Sequence, residues 1–167
     1  LDLVVHGTDG PASAWAIAAT VGETVSFGGP RGSRLAPTGF RNALLVVDPS
    51  ALPAARRWIR AYAGAMPVHA VLFGGAQAEG YLDEAEIAAA TPQVVGPDHD
   101  LVTVVAAQDV DADTFVFAAG EAGALVAVRR HLRAAGLPKE NLSLHGYWKR
   151  GDAGFDHHAP LDPADPD

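Results

Sequence analysis

The apolar positions fall into two kinds of run. Ala43–Val47 (Ala-Leu-Leu-Val-Val) and Val68–Phe73 are continuous apolar stretches of strand length, the pattern of strands buried on both faces. Thr114–Ala118 and Asn141–Leu144 predict two more strands, and Gln93–Val95 a short one. Between them the period changes. Ala51–Ala63 carries Leu52, Ala55, Ile59 and Tyr62 along one side, and Glu121–Ala135 carries Leu125, Val128 and Leu132 on one stripe. Both predict amphipathic helices, the second closed by Gly136. Asp83–Ala90 predicts a short helix. Asp100–Ala107 is compatible with helix or strand, with the balance toward helix.

Strands alternating with helices imply parallel strand–helix–strand units. The predicted class is therefore α/β, a doubly wound, mostly parallel five-stranded sheet. Upstream the pattern differs. Leu1–Val5 reads as a strand, His6–Pro11 as a turn, Ala12–Ala19 as a helix with Trp15 and Ala19 on one face, and Thr24–Phe27 as a strand. The Gly-rich stretch Gly28–Gly39 reads as a linker. Three segments are expected: 1–38, 39–152, and an Asp/Pro-rich acidic tail, 153–167, expected to be disordered. A chain that opens inside a strand is expected to be a piece of a longer polypeptide.

Composition narrows the function. The 167 residues carry a formal net charge of −8 and no Lys/Arg block, which disfavours nucleic acid as a partner. There is no cysteine, so disulfides, thiol catalysis and thiolate metal sites are excluded; this fits a cytoplasmic location. No apolar run reaches the roughly 18 residues of a membrane span, so no stable membrane insertion is expected. The seven histidines show no ligand spacing, and His157-His158 lies in the acidic tail, so no metal site is expected. There is no G-x-S-x-G elbow.

Four segments carry candidate chemistry. At Gly7–Trp15 a strand runs through glycines into a helix that opens Pro11-Ala12-Ser13. Exposed N–H groups at such a start suit a phosphate, and a plain tight turn is the other reading. Asp48-Pro49-Ser50-Ala51 follows the first buried strand, where open α/β sheets bind ligands; helix capping explains the same residues. Ala119-Gly120-Glu121-Ala122 sits equally between strand and helix, with Glu121 serving either a ligand or the helix dipole. Finally, Tyr147-Trp148-Lys149-Arg150 places two aromatics and two cations beyond the last strand. They either cover a flat ring and attract anions, or close the sheet edge.

In order and spacing these segments resemble the siderophore-interacting protein family. The resemblance rests on His6-Gly7-x-x-Gly10-Pro11-Ala12-Ser13-x-Trp15-Ala16, then Val21-Gly22-Glu23-Thr24-Val25 and Gly29-Pro30-Arg31-Gly32. It continues through Asp48-x-Ser50-Ala51-Leu52-Pro53, Gly120-Glu121-Ala122, Arg129-Arg130-His131-Leu132 and Gly146-Tyr147-Trp148-x-x-Gly151, spanning roughly residues 1–151. It implies a ferredoxin-reductase-like architecture, with a flavin-binding β-barrel followed by a nucleotide-binding α/β domain. It also implies electron flow from NADPH or NADH through FAD to a ferric siderophore, which releases ferrous iron. By position, His6, Gly7, Gly10, Pro11, Ala12 and Ser13 would meet the FAD phosphates. Asp48, Ser50, Ala51, Gly120, Glu121 and Ala122 would line the nicotinamide nucleotide cleft. Glu121, Tyr147 and Trp148 would lie at the reacting centre, and Lys149 and Arg150 would meet the substrate. Three departures stand out. The family's upstream Arg-x-Tyr-Thr-type flavin motif is not in this sequence. Val47-Asp48-Pro49-Ser50 replaces Gly-Asp-Glu-Thr. Phe73-Gly74-Gly75-Ala76 holds no cation for a 2′-phosphate.

Overall fold

A computed structural model describes residues 3, 5, 8, 10–29, 35–96 and 98–165. The chain divides into two compact units, Leu1–Leu35 and Ala36–Asp167. The first contains helix α1 (Pro11–Ala18), with Pro11 in its opening turn and Gly10 at its N-cap. The expected strand over 24–27 is extended chain without strand pairing. A strand persists only where its N–H and C=O groups find a ladder partner, and the described residues offer none there. The expected strand over 1–5 falls largely outside the described residues, as do His6, Gly7 and residues 30–34 of the linker.

The second unit is built on five parallel strands: β1 (Asn42–Val47), β2 (Val68–Leu72), β3 (Pro92–Val94), β4 (Thr114–Glu121) and β5 (Leu142–Trp148). Their order is β3-β2-β1-β4-β5, with every pairing parallel. Alternation decides which face each side chain takes. On β1, Ala43, Leu45 and Val47 join one core, and Leu44 and Val46 the other. The first core is covered by α2 (Leu52–Tyr62) and α3 (Glu84–Ala90), the second by α4 (Leu101–Ala106) and α5 (Ala122–Ala134). Helices on both faces explain the unbroken apolar runs of β1 and β2. The segment over 100–107 is helical, with Asp100 capping it through Thr103 N–H at 2.9 Å.

Two boundaries differ from expectation, and both bear on the site. β4 continues past Ala118 to Glu121, and β5 continues past Leu144 to Trp148. Gly120 and Gly146 read as breakers in the sequence, yet they pair with each other. The register shifts between Gly120 and Glu121, so Glu121 faces Trp148. A glycine inside a strand often marks such a bulge. Gly146 is also required by packing, because a Cβ there would lie 2.9 Å from Ala122 Cβ and 3.0 Å from the Phe155 ring.

The acidic tail, expected to be disordered, is packed against α5 through residue 165. Asp162 is buried and receives Arg130 at 2.6 and 3.1 Å. The backbone carbonyl of Asp165 receives the buried Arg129 guanidinium at 2.9 and 3.2 Å, and its carboxylate meets Lys139 at 3.0 Å. Composition favours disorder, but here Asp162 and Asp165 have specific cationic partners.

A second ionic centre ties α2 to α3. Glu86 is buried and completes a capping box with Asp83. It accepts from Arg56 Nε at 3.0 Å and Arg60 Nε at 2.5 Å. Burial pushes its carboxyl upward, but Arg56, the Asp83 N–H and Arg60 together outweigh that and bring it down to about 2. A folded value below the ordinary 4.5 means that this contribution is complete above pH 4.5 and lost as pH falls toward 2. Wild-type protein should therefore lose stability in urea across that window. Glu86→Gln should start from a lower midpoint at neutral pH and lose less over the same acid range. An unchanged acid slope would show that Glu86 does not carry the effect.

Candidate functional site

The site begins where β1 stops. Its apolar run ends at Val47, and the next residue is a carboxylate in extended conformation. Asp48 is only 1% exposed. Burying a charge is costly unless donors surround it, and here four do. Oδ1 accepts Ser50 N–H at 2.9 Å and Ser50 Oγ–H at 2.5 Å. Oδ2 accepts Glu121 N–H at 2.9 Å and Trp148 Nε1–H at 2.8 Å. One side chain thus joins the ends of β1, β4 and β5. No cation of the described residues pairs with it, so its charge is balanced by dipoles alone.

Gly120 makes this possible. Its φ is +142°, and a Cβ there would lie 2.4 Å from Asp48 Cγ. Gly74, at the end of β2, approaches from the other side, with its Cβ position 3.5 Å from Asp48 Cβ. Glu121 then closes β4 and caps α5: Oε2 accepts Ala124 N–H at 2.7 Å, and Oε1 accepts Arg150 N–H at 3.1 Å. Burial pushes the Glu121 carboxyl upward. The N–H groups of Ala124, Arg150 and Gly123, with the Arg150 charge, more than offset this and hold it below its ordinary value. It is an anion at neutral pH and a structural acceptor, not a poised proton donor.

The expected site residues sort by exposure. Asp48, Ala51 and Ala122 are 1%, 0% and 4% exposed, so their side chains offer little surface to a ligand. Ser50 and Glu121 are half-buried at the rim, and Tyr147, Trp148, Lys149 and Arg150 are exposed. In the first unit, Gly10, Pro11 and Ala12 open α1, and Ser13 is its buried residue. Space beside Gly10 is open, with nothing within 4 Å of its Cβ position. N–H groups in a helix's first turn lack intrahelical acceptors, so the α1 start fits a phosphate group.

The α2 start fits one less well. Pro49 and Pro53 have no N–H, Ser50 N–H donates to the Asp48 carboxylate, and Ala51 N–H donates to the Asp48 carbonyl at 3.0 Å. Asp48 itself is the anion of this helix start. The replacement of Gly-Asp-Glu-Thr by Val-Asp-Pro-Ser therefore has a structural consequence. The link to Trp148, 100 positions away, has no signal in local sequence. No group of three or more potential metal ligands occurs among the described residues, and no described helix is long and apolar enough to cross a membrane.

The strand order places β1 and β4 side by side although the chain leaves β1 in the other direction, through β2 and β3. That is a topological switch point, where open α/β sheets bind ligands beyond their strand ends. Such a sheet, with three strand ends gathered at that point, defines a doubly wound parallel α/β domain. Residues 40–151 match the sequence model for "Siderophore-interacting protein", and residues 1–34 match "Siderophore-interacting FAD-binding domain"; the chain belongs to the siderophore-interacting protein family. It is similar to the NADPH-dependent ferric-chelate reductase of Escherichia coli (strain K12), with 40% identity over 57 residues, 34% of this chain and 22% of that protein. A siderophore utilization protein from T. fusca superposes with a TM-score of 0.71 at 28% identity, covering 94% of this chain and 62% of that one. The siderophore-interacting protein SipS from Aeromonas hydrophila superposes with a TM-score of 0.72 at 25% identity, covering 89% and 60%. The chain thus spans 62% and 60% of these two solved relatives. The matches support FAD as a cofactor and a ferric-chelate reductase relationship.

The Gly120 contact is testable. Gly120→Ala must displace Asp48 or the bulge and should cost about 3 kcal/mol in urea unfolding. Gly75→Ala has φ +87° but open space around its Cβ, and should cost only about 1 kcal/mol of backbone strain. Equal losses would show that the collision with Asp48 does not matter.

Proposed function

We propose that the protein passes electrons from NADPH or NADH through FAD to a ferric siderophore, and so releases ferrous iron. The observation that carries this reading is the gathering of β1, β4 and β5 on one buried carboxylate at the switch point, in a chain of this family. FAD, when bound, accepts a hydride and releases single electrons, which is the conversion that ferric iron requires. The chain's own residues bind and orient. Gly10, Pro11, Ala12 and Ser13 at the α1 start hold the FAD phosphates, together with His6 and Gly7, which lie outside the described residues. Ser50, Gly120 and Glu121 border the nicotinamide nucleotide. Tyr147 and Trp148 present aromatic surface at the reacting centre, and Lys149 and Arg150 draw an anionic siderophore toward it. Ferrous iron binds hard-oxygen chelators more weakly than ferric iron does, so reduction itself promotes release. A cytoplasmic location belongs to the same reading.

One observation favours a second reading, in which the α/β unit is a binding module and takes no part in hydride transfer. Just before α2, Ser50 and Ala51 N–H are committed to Asp48, and Pro49 and Pro53 have no N–H. Residues 73–76 hold no cation, and Arg56 and Arg60 are engaged by Glu86. Arg57, on the same helix, is exposed and is the α2 arginine that Glu86 does not engage.

Titration separates the two. On the first reading, full-length protein is yellow, bleaches on anaerobic addition of NADPH or NADH, and recovers its colour when a ferric siderophore is added. Bleaching by dithionite but by neither nucleotide supports the second reading and removes the proposed electron donor.

A further inference from the structure

We infer that Asp48 is a positioning residue whose task is to fix the Trp148 indole. The inference rests on the proposed role of Tyr147 and Trp148 at the reacting centre, and it assigns Asp48 no contact with a ligand. Trp148 ends an edge strand and is 37% exposed. An indole so placed ordinarily samples several rotamers. Here its N–H is held at 2.8 Å by a carboxylate that is itself 1% exposed. The same oxygen takes Glu121 N–H, so the β4 bulge and the indole are locked to one atom. The other oxygen is held by Ser50 through two bonds, which prevents the carboxylate from turning away. Gly120 leaves the space that lets Asp48 approach β4 this closely.

Stability alone does not account for this arrangement. A buried carboxylate without a cation is an expensive way to join three strand ends, and apolar residues of similar volume often serve as well or better. What an apolar residue cannot supply is a directional acceptor for one indole N–H. A charged acceptor gives a shorter and stronger bond than a neutral one, and a half-exposed aromatic ring gains a fixed orientation from it.

The test uses full-length, FAD-loaded protein with ¹⁵N-labelled tryptophan and the variants Asp48→Asn, Trp148→Phe and the double. Indole N–H resonances identify Trp148 by its loss in Trp148→Phe. In wild type that proton should exchange slowly with solvent. In Asp48→Asn it should shift and exchange at least about tenfold faster, because the bond that protects it is weakened. Each single variant should lower kcat for ferric-siderophore reduction about tenfold with KM changed little, and the double should be no slower than the slower single, as for two cuts in one link. An unshifted, still-protected indole in Asp48→Asn overturns the inference, and so do single effects that multiply in the double. Should Asp48→Asn fail to fold, Trp148→Phe decides: wild-type kcat there, or rapid indole exchange in wild type, overturns it. A protein that reduces no siderophore defeats the proposed function instead, and the indole exchange still reports on Asp48.

Discussion

A carboxylate taken out of water must be given donors, and the end of β1 is organised by that requirement. Asp48 draws one N–H from its own turn, one from the end of β4, a hydroxyl from Ser50 and an indole N–H from β5. Each donor has to arrive within hydrogen-bond distance, so three segments distant in sequence are held to one point. Gly120 is obligatory because it alone lets the β4 backbone pass over the carboxylate. The bulge that follows turns Glu121 outward, where its own carboxylate caps α5 and catches the Arg150 N–H. Two acids thus divide the work, one buried and joining strands, the other at the rim and joining a helix to the loop beyond β5.

The position of this junction follows from the sheet. Parallel strands bury both faces, so the helices cover the faces and only the strand ends remain for ligands. The chain moves outward from β1 to β2 and β3, then returns to place β4 on the other side of β1. The connections that leave β1 and β4 therefore diverge, the arrangement beyond which open α/β sheets bind their ligands. In many dinucleotide-binding folds the first helix offers its N-terminus to a phosphate there. In this chain Asp48 takes the N–H groups of Ser50 and Ala51, and Pro49 and Pro53 offer none, which reduces that capacity. Such a site depends more on the rim residues than on the helix dipole.

Much of this was legible in the sequence, and the remainder was illegible for definite reasons. The apolar runs at 43–47 and 68–73 and the stripes Leu52-Ala55-Ile59-Tyr62 and Leu125-Val128-Leu132 reflect periodicity, which survives in one dimension. The sheet class and the alternation followed from them. Strand ends were less accessible: Gly120 and Gly146 look like breakers, but each is glycine because a neighbouring side chain fills the place of its Cβ. The burial of Asp48, Ala51 and Ala122 was also hidden, since motif position shows where the chain passes and not which atoms reach the surface. The Asp48–Trp148 bond spans 100 positions, and only the fold brings its ends together.

The tail shows the limit of compositional argument most directly. Asp and Pro in a short acidic run ordinarily lack the apolar area needed to offset ordering entropy. Here the partners were encoded elsewhere, in the cationic end of α5 and the turn after it. Arg129, Arg130, Arg133 and Lys139 would repel one another without the tail, and Asp162 and Asp165 answer them. Exposed ion pairs are individually weak, but Asp162 and Arg129 are each 2% exposed, and leaving either unpartnered would cost far more than a surface pair gives. Phe155 and Leu161 approach Gly146 from the same side and fill the space its missing side chain leaves. The tail is thus part of the wall behind β5, and it packs against the strand that carries Tyr147 and Trp148 at Gly146.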